Sequence, residues 1–148
     1  MAIVAGVYRR AAEERAAEAV GLHGEGRYAL AHYVAGLAVE CMLRAYRVRV
    51  DPQFDSRHDL RELCRAARFY QFLPTEDAPR VSAALAVVAD RWRNDHRYRD
   101  ERELRHWLKD LGRDRHVRGD ILKHSSREIV NAAVVVVTAG GVRWESGS

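Results

Sequence analysis

Hydrophobic residues recur at helical spacing along most of the chain. Between about Tyr28 and Val48 they fall every three or four positions, the pattern of a helix with one face in a core. Further helices are predicted at about Val4 to Leu22 and Val117 to Ala139. Shorter apolar stripes lie between these segments, at Leu60, Leu63, Cys64 and Ala67, at Val81, Ala84, Leu85, Val88 and Trp92, and at Leu104, Trp107, Leu108 and Leu111.

Turn-forming residues separate these segments. Three glycines between positions 21 and 26 predict the first turn, Pro52 ends the second helix, and Ser56–Asp59 is typical of a capping box. Gly140–Gly141 is expected to close the last helix. The run Val134–Val137 favours a strand by propensity, but the sequence offers no second strand to pair with it. The pattern therefore predicts an all-α bundle of about five helices.

Length and composition narrow the class of protein. The 148 residues, 47% of them hydrophobic, fit a single folded domain spanning 1–148 and exclude wholesale disorder. No apolar run is long enough to cross a bilayer, and Arg9–Arg10 follows the start too soon for a signal peptide. Cys41 and Cys64 lie in helical patterns and form no metal-type pair. We expect a cytoplasmic protein without a metal, a cofactor or a membrane anchor.

The basic residues are unevenly distributed. Arginine supplies 23 of the 25, and its planar fork suits phosphate, but a GC-rich genome would raise arginine and alanine content equally. The positions of the basic residues along the chain are more informative than their total number. Residues 91–127 hold 12 basic and 7 acidic residues, a net charge of +5, so the remainder of the +4 chain carries −1. RNA is the partner that such a segment suggests.

Several segments of the sequence carry a family resemblance. Arg27–Tyr33 and Ala38–Ala45 lie in a helix with small residues and an internal Glu, and His58–Leu63 follows as a His-Asp-Leu helix start. Together with Trp92 and the pair Arg97–Tyr98, they resemble the HEPN family (higher eukaryotes and prokaryotes nucleotide-binding). The resemblance implies a five-helix up-and-down bundle that forms a homodimer. Some members are metal-independent ribonucleases, often toxins or defence effectors, with an Arg-x4-6-His motif at the dimer interface. Others are non-catalytic partners, commonly of a small nucleotidyltransferase.

The segment Arg91–Tyr98 contains Arg-x4-His-x-Tyr. This matches the motif of HEPN toxins paired with a minimal nucleotidyltransferase antitoxin. The resemblance implies that Arg91 and His96 cleave RNA and that the partner adenylylates Tyr98. A histidine of near-neutral pKa can move protons at the attacking or leaving oxygen, and an arginine can stabilise charge on the phosphate, without a metal.

Chance and two departures count against this motif, one of which is that the pair Arg97–Tyr98 also fits the non-catalytic members. With 23 Arg and 7 His, any fixed Arg-to-His spacing occurs about once at random, although only His96 also has a Tyr two residues later. Active members usually carry Asn, Asp or His after the motif arginine, whereas this chain has Trp92, which continues an apolar stripe. On one continuous helix Arg91 and His96 would lie about 140° apart. They converge only if the helix ends between them or a dimer mate supplies one of them.

The remaining candidates favour structural roles. His106, His116 and His124 fit no metal-binding spacing, and His58 is interpreted as a helix-start residue. Glu40 and Arg44 have the spacing of a salt bridge within a helix.

Two main hypotheses remain from the sequence. In the first, the protein is a dimeric, metal-independent RNA-cleaving toxin or defence effector. Its Arg91 contacts phosphate, His96 is the general acid and base, and Tyr98 is a regulatory or supporting hydroxyl. The expected further phosphate contacts are Arg93, Arg97 and Arg99. In the second, the chain is a non-catalytic nucleotide- or RNA-binding module that docks to a nucleotidyltransferase or another partner. A purely structural helical homodimer is a third reading.

Overall fold

The computed structural model describes residues 3–50 and 60–146 and contains, within them, six α-helices and two short 3₁₀ segments. The helices are α1 (Ala5–Gly24), α2 (Tyr28–Val50), α3 (Leu60–Ala66), α4 (Ala78–Arg91), α5 (Glu101–Asp110) and α6 (Ile121–Ser146), and the 3₁₀ segments are Phe69–Phe72 and Asn94–Tyr98. The described residues form no strand, and Val134–Val137 lies within α6. The all-α prediction is confirmed. The predicted capping box at Ser56–Asp59 lies outside the described residues.

Helix α2 is the centre of the bundle and packs mainly against α1 and α6, while α4 packs chiefly against α6. It is buried on most of its circumference, so the single apolar stripe predicted for it was too narrow. Leu30, expected in that stripe, is exposed, whereas His32 and Glu40 are buried. Small residues make this central position possible, because alanines let neighbouring backbones approach closely. No described helix has the length and apolar character needed to span a bilayer.

Helix α6 continues past Gly140–Gly141, so the predicted closure there was wrong. Gly140 is a packing residue instead. A Cβ at this position would lie 2.8 Å from Met42 Cγ, and the Gly140 carbonyl accepts a hydrogen bond of 2.6 Å from the Tyr46 hydroxyl. The missing side chain therefore lets α6 press against α2 rather than ending the helix.

The same helix begins at Ile121, later than the predicted Val117. Gly119 adopts a left-handed φ of +86°, which interrupts helical geometry just before that point. The Asp120 carboxylate then accepts a hydrogen bond of 3.0 Å from the Leu122 backbone N–H and caps the first turn. Asp120 also pairs with Arg105 of α5, at 2.9 and 3.0 Å, which ties α5 to the start of α6.

Helix α4 carries its predicted apolar stripe into the core. Its buried members are Val81, Ala84, Leu85, Val88 and, one residue past the helix, Trp92. Trp92 packs directly on Gly36 of α2, where a Cβ would come within 2.0 Å of the indole. Its Nε1 donates a hydrogen bond of 2.9 Å to the Tyr33 carbonyl. Trp92 is thus a core residue, as predicted, and it anchors the end of α4 to α2.

Candidate functional site

The motif segment turns a corner at the end of α4. The helix ends at Arg91, Trp92 and Arg93 are extended, and Asn94–Tyr98 forms a 3₁₀ segment. The helix end between Arg91 and His96 is one of the two arrangements that the sequence analysis left open. Both side chains are buried, and both lower the pKa of the same residue, His32 of α2. The corner therefore brings Arg91 and His96 to one region of the molecule, around His32.

His96 is held in a defined orientation. Its Nδ1 accepts a hydrogen bond of 3.2 Å from the Arg93 backbone N–H, so the neutral ring carries its proton on Nε2. The ring meets Trp107 of α5 edge-on, with centroids 4.6 Å apart, and lies 5.9 Å from the His32 ring. Neutral His96 is consequently a hydrogen-bond donor through Nε2.

Burial lowers the pKa of His96 to about 4; Asp95 opposes this shift, and Arg93 and Arg99 add to it. This value departs from the near-neutral pKa expected of a general acid and base. The cause is desolvation, because the ring is only 5% exposed. Without a bound anion, His96 is neutral at physiological pH.

His32 is the residue of this region that the sequence analysis missed. It is fully buried, its Nε2 lies 3.1 Å from the Ser125 hydroxyl of α6, and its Nδ1 has no hydrogen-bond partner among the described residues. Burial lowers its pKa to about 3, with contributions from His96 and Arg91. A similar contact follows nearby, where His23 Nδ1 lies 2.8 Å from the Ser126 hydroxyl. The sequence signal that could have identified it is the position of a histidine among apolar residues of α2.

Arg91 is bound by a carboxylate of α6. Its two terminal nitrogens each lie 3.1 Å from an oxygen of Glu128, a bidentate pair. His124, one turn earlier in α6, contacts the same carboxylate. Burial alone would raise the pKa of Glu128, but hydrogen bonds and charge from Arg91 and His124 lower it. A phosphate that binds Arg91 must therefore displace Glu128 or share the guanidinium with it.

The other predicted residues of the motif lie at the surface. Tyr98 is 74% exposed, and the Arg97 guanidinium carbon lies 4.6 Å from its ring centroid. Arg99 is paired with Asp95 and Glu103. Arg93 and Arg97, by contrast, form no ion pair within residues 3–50 and 60–146.

A groove of about 860 Å³ runs between the Asn94–Tyr98 segment and α5. His96 and Trp107 form its apolar wall, and charged side chains of both signs line the rest. The arrangement can bind an extended anion beside a neutral imidazole donor. Within the part of the chain that the structure describes, no group of three His, Cys, Asp or Glu residues is placed to hold a metal ion.

His106, His124 and the Glu40–Arg44 pair remain from the sequence analysis, and His58 lies outside the described residues. Glu40 and Arg44 approach to 3.7 Å within α2, as the spacing predicted. His106 is exposed and pairs with Asp110 at 3.4 Å. His124 differs from them, because its contact with Glu128 connects it to Arg91.

The comparisons with known proteins give one match. A family model described as "HEPN domain" matches residues 5–136, which covers α1 to α5 and most of α6. No curated protein and no solved structure matches the chain significantly.

Proposed function

Because the chain belongs to the HEPN domain family, we propose that it binds RNA and cleaves it as a metal-independent endoribonuclease. In this proposal the protein is a cytoplasmic toxin or defence effector that acts as a homodimer. The observation that carries the proposal is the corner at the end of α4, which places Arg91 and His96 each near His32, with His96 in the wall of a groove.

The proposed reaction is transesterification within RNA. A ribose 2′-hydroxyl attacks the adjacent phosphorus, the bond to the 5′-oxygen breaks, and the products are a 2′,3′-cyclic phosphate and a 5′-hydroxyl. The 2′-hydroxyl loses a proton and the leaving oxygen gains one. Arg91 stabilises the negative charge that accumulates on the phosphorane, once phosphate has displaced Glu128 from its guanidinium.

His96 supplies the proton transfer in this scheme. A phosphodiester bound against the ring favours the imidazolium and raises the pKa of His96 from its low value toward neutrality. Protonated His96 then donates from Nε2 to the leaving 5′-oxygen. In a homodimer, the partner's His96 is available as the base that accepts the 2′-hydroxyl proton.

Exposed Tyr98 is the feature that suits a regulatory partner. Its ring is 74% exposed, so its hydroxyl is accessible to a nucleotidyltransferase, the partner class that the motif suggests. A nucleotide added there lies two residues from His96 and introduces negative charge and bulk beside the groove.

A second candidate function is a non-catalytic RNA-binding or accessory module. Two observations favour it: Glu128 already occupies the Arg91 guanidinium, and burial takes the pKa of His96 well below the range of efficient acid–base catalysis. The groove, which charged side chains of both signs line, would then serve as an interface for RNA or a protein partner.

Incubation of the purified protein with total RNA in excess EDTA separates the two functions. The variants are His96→Ala and, as a matched control, His116→Asn, since His116 is an exposed histidine whose left-handed φ of 62° suits asparagine. Cleavage by wild type and by His116→Asn, but not by His96→Ala, supports the ribonuclease. Cleavage that persists in His96→Ala contradicts the site. No cleavage by any of the three contradicts the ribonuclease and favours the accessory module.

A further inference from the structure

Trp107 is an aromatic side chain placed at the wall of the groove next to His96. One side of it packs against the small apolar cluster that contains Leu104 and Leu108 of α5. Its ring is only partly buried, and its neighbour in the groove is the exposed Arg93, whose guanidinium carbon lies 5.9 Å from the ring centroid. The side chain is therefore anchored by the core while it borders the groove.

Arg93 lies over Trp107 and is free to move off it. Its guanidinium carbon is 5.9 Å from the ring centroid, within the range of a cation–π interaction. Arg93 is exposed and forms no ion pair with the described residues, so it can lift from the indole without breaking a salt bridge. A base that stacks on the ring can therefore be covered by the guanidinium on its other face.

Unpaired positive charge lies along the same groove. Arg102 and Lys109 are seven residues apart on α5, two helical turns, and therefore share one face of the helix. Both line the groove, and neither forms an ion pair with residues 3–50 or 60–146. The other groove arginines, Arg99 and Arg105, are each bound by two carboxylates.

An aromatic surface next to unpaired cations is the combination that binds single-stranded nucleic acid, because bases stack on the ring while phosphates contact the cations. We infer that Trp107 is a nucleobase-binding subsite, on which a base of the RNA stacks between the indole and Arg93 while its backbone follows Arg102 and Lys109. Since Trp107 touches His96, the phosphodiester next to the stacked base is brought to the imidazole. This inference rests on the proposed RNA-binding function and adds to it the residue that orients the substrate.

Binding can be measured without cleavage by using a short 2′-O-methyl oligouridylate, in which the attacking hydroxyl is blocked. Inorganic polyphosphate is the companion probe, because it carries the charge but has no base. The proteins are wild type, Trp107→Phe, Trp107→Leu and the matched control Trp144→Phe. Trp144 lies on α6 against Arg49 and Tyr46 and does not line the groove. Anisotropy of a dye-labelled oligouridylate, with polyphosphate as the competitor, measures affinity in every protein. Tryptophan fluorescence reports base stacking in wild type and Trp144→Phe, and urea unfolding followed by circular dichroism checks that each variant is folded.

We expect the oligouridylate to quench wild-type fluorescence and polyphosphate to leave it nearly unchanged. Trp107→Leu should bind the oligouridylate about 5- to 100-fold more weakly, the usual effect of removing one stacking partner, and Trp107→Phe should lie between it and wild type. Polyphosphate affinity should be equal in all four proteins. Lys109→Ala should instead lower the number of ions released on binding, measured from the salt dependence of the affinity, by about one. The tryptophan variants should leave this number unchanged.

The outcomes separate this inference from the proposed function. If folded Trp107→Leu and Trp107→Phe bind the oligouridylate as tightly as wild type, the subsite is wrong and RNA binding stands. If polyphosphate quenches wild type as strongly as the oligouridylate does, the ring senses charge rather than a base, and the subsite is again wrong. If wild type binds neither probe, both the subsite and the proposed RNA binding are contradicted.

Discussion

Substitution of Gly36 by alanine tests how the fold positions the motif segment. A Cβ at Gly36 would lie 2.0 Å from Trp92 Cδ1, 2.1 Å from Cγ and 2.2 Å from Nε1. No rotation of a flexible tip relieves these contacts, because all three atoms belong to the rigid indole. The ring must move, and the 2.9 Å hydrogen bond from Trp92 Nε1 to the Tyr33 carbonyl is lost with it. Trp92 directly precedes the segment that carries His96, so that segment should shift as well.

The size of the effect follows from three contributions. Overpacking a well-filled core costs about 1–3 kcal/mol, and the contacts of about 2 Å place this site at the upper end. The lost hydrogen bond adds about 1 kcal/mol. Replacing a helical glycine by alanine returns about 0.5–1 kcal/mol. We therefore expect Gly36→Ala to lower the free energy of unfolding by about 3 kcal/mol.

Gly21→Ala is the matched control. Gly21 is also helical, in α1, but a Cβ there meets nothing within 4 Å. The same chemical change should therefore raise stability by about 0.5–1 kcal/mol. Urea unfolding followed by tryptophan fluorescence and circular dichroism measures both variants. If Gly36→Ala is as stable as Gly21→Ala, the packing of Trp92 on α2 is refuted.

Three further predictions address a cap, a pH dependence and the Arg91 contact. Asp120→Ala removes the cap of α6 and should lower the free energy of unfolding by about 1–2 kcal/mol. Asp120→Asn keeps the capping oxygen and should lower the free energy of unfolding by less, and urea unfolding measures both variants. Burial lowers the pKa of His32 to about 3 and that of His96 to about 4, so below about pH 6.5 the unfolded chain binds protons that the folded state excludes. As the pH drops from about 6.5 toward the pKa of the folded state, the free energy of unfolding should fall by up to about 1.4 kcal/mol per pH unit for each histidine. If His32→Gln shows the same dependence of unfolding free energy on pH as wild type, this prediction is contradicted. Glu128→Gln frees the Arg91 guanidinium from an ionised carboxylate and should tighten binding of a 2′-O-methyl oligoribonucleotide several-fold by fluorescence anisotropy; unchanged affinity would show that Glu128 does not compete with phosphate.

The local parts of the fold were accessible from the sequence because they depend on residues close together in the chain. The stripe ending in Trp92 has helical spacing, and every member is buried as that spacing predicts. Gly140 was misinterpreted because a glycine that ends a helix and one that admits a neighbouring helix look alike in sequence. Only the position of Met42 against Gly140 decides between them.

The site was less accessible because it depends on packing between distant segments. His32 and Ser125 are 93 residues apart, and the Arg91–Glu128 pair joins α4 to α6. No local pattern connects such partners. The low pKa of His96 has the same origin, since desolvation depends on what covers the ring rather than on its neighbours in the chain. The sequence motif identified the segment Arg91–Tyr98. The packing of α2, α5 and α6 around that segment determines the burial and the pKa of its side chains.

The most direct test of the proposed ribonuclease is the identity of the ends it produces. A short oligoribonucleotide is incubated in excess EDTA with wild type and with His96→Ala, and the products are identified by mass spectrometry. We expect a 2′,3′-cyclic phosphate and a 5′-hydroxyl with wild type, no products with His96→Ala, and no cleavage of an all-deoxy oligomer of the same sequence. Intact RNA with wild type, or the same products with His96→Ala, would contradict it.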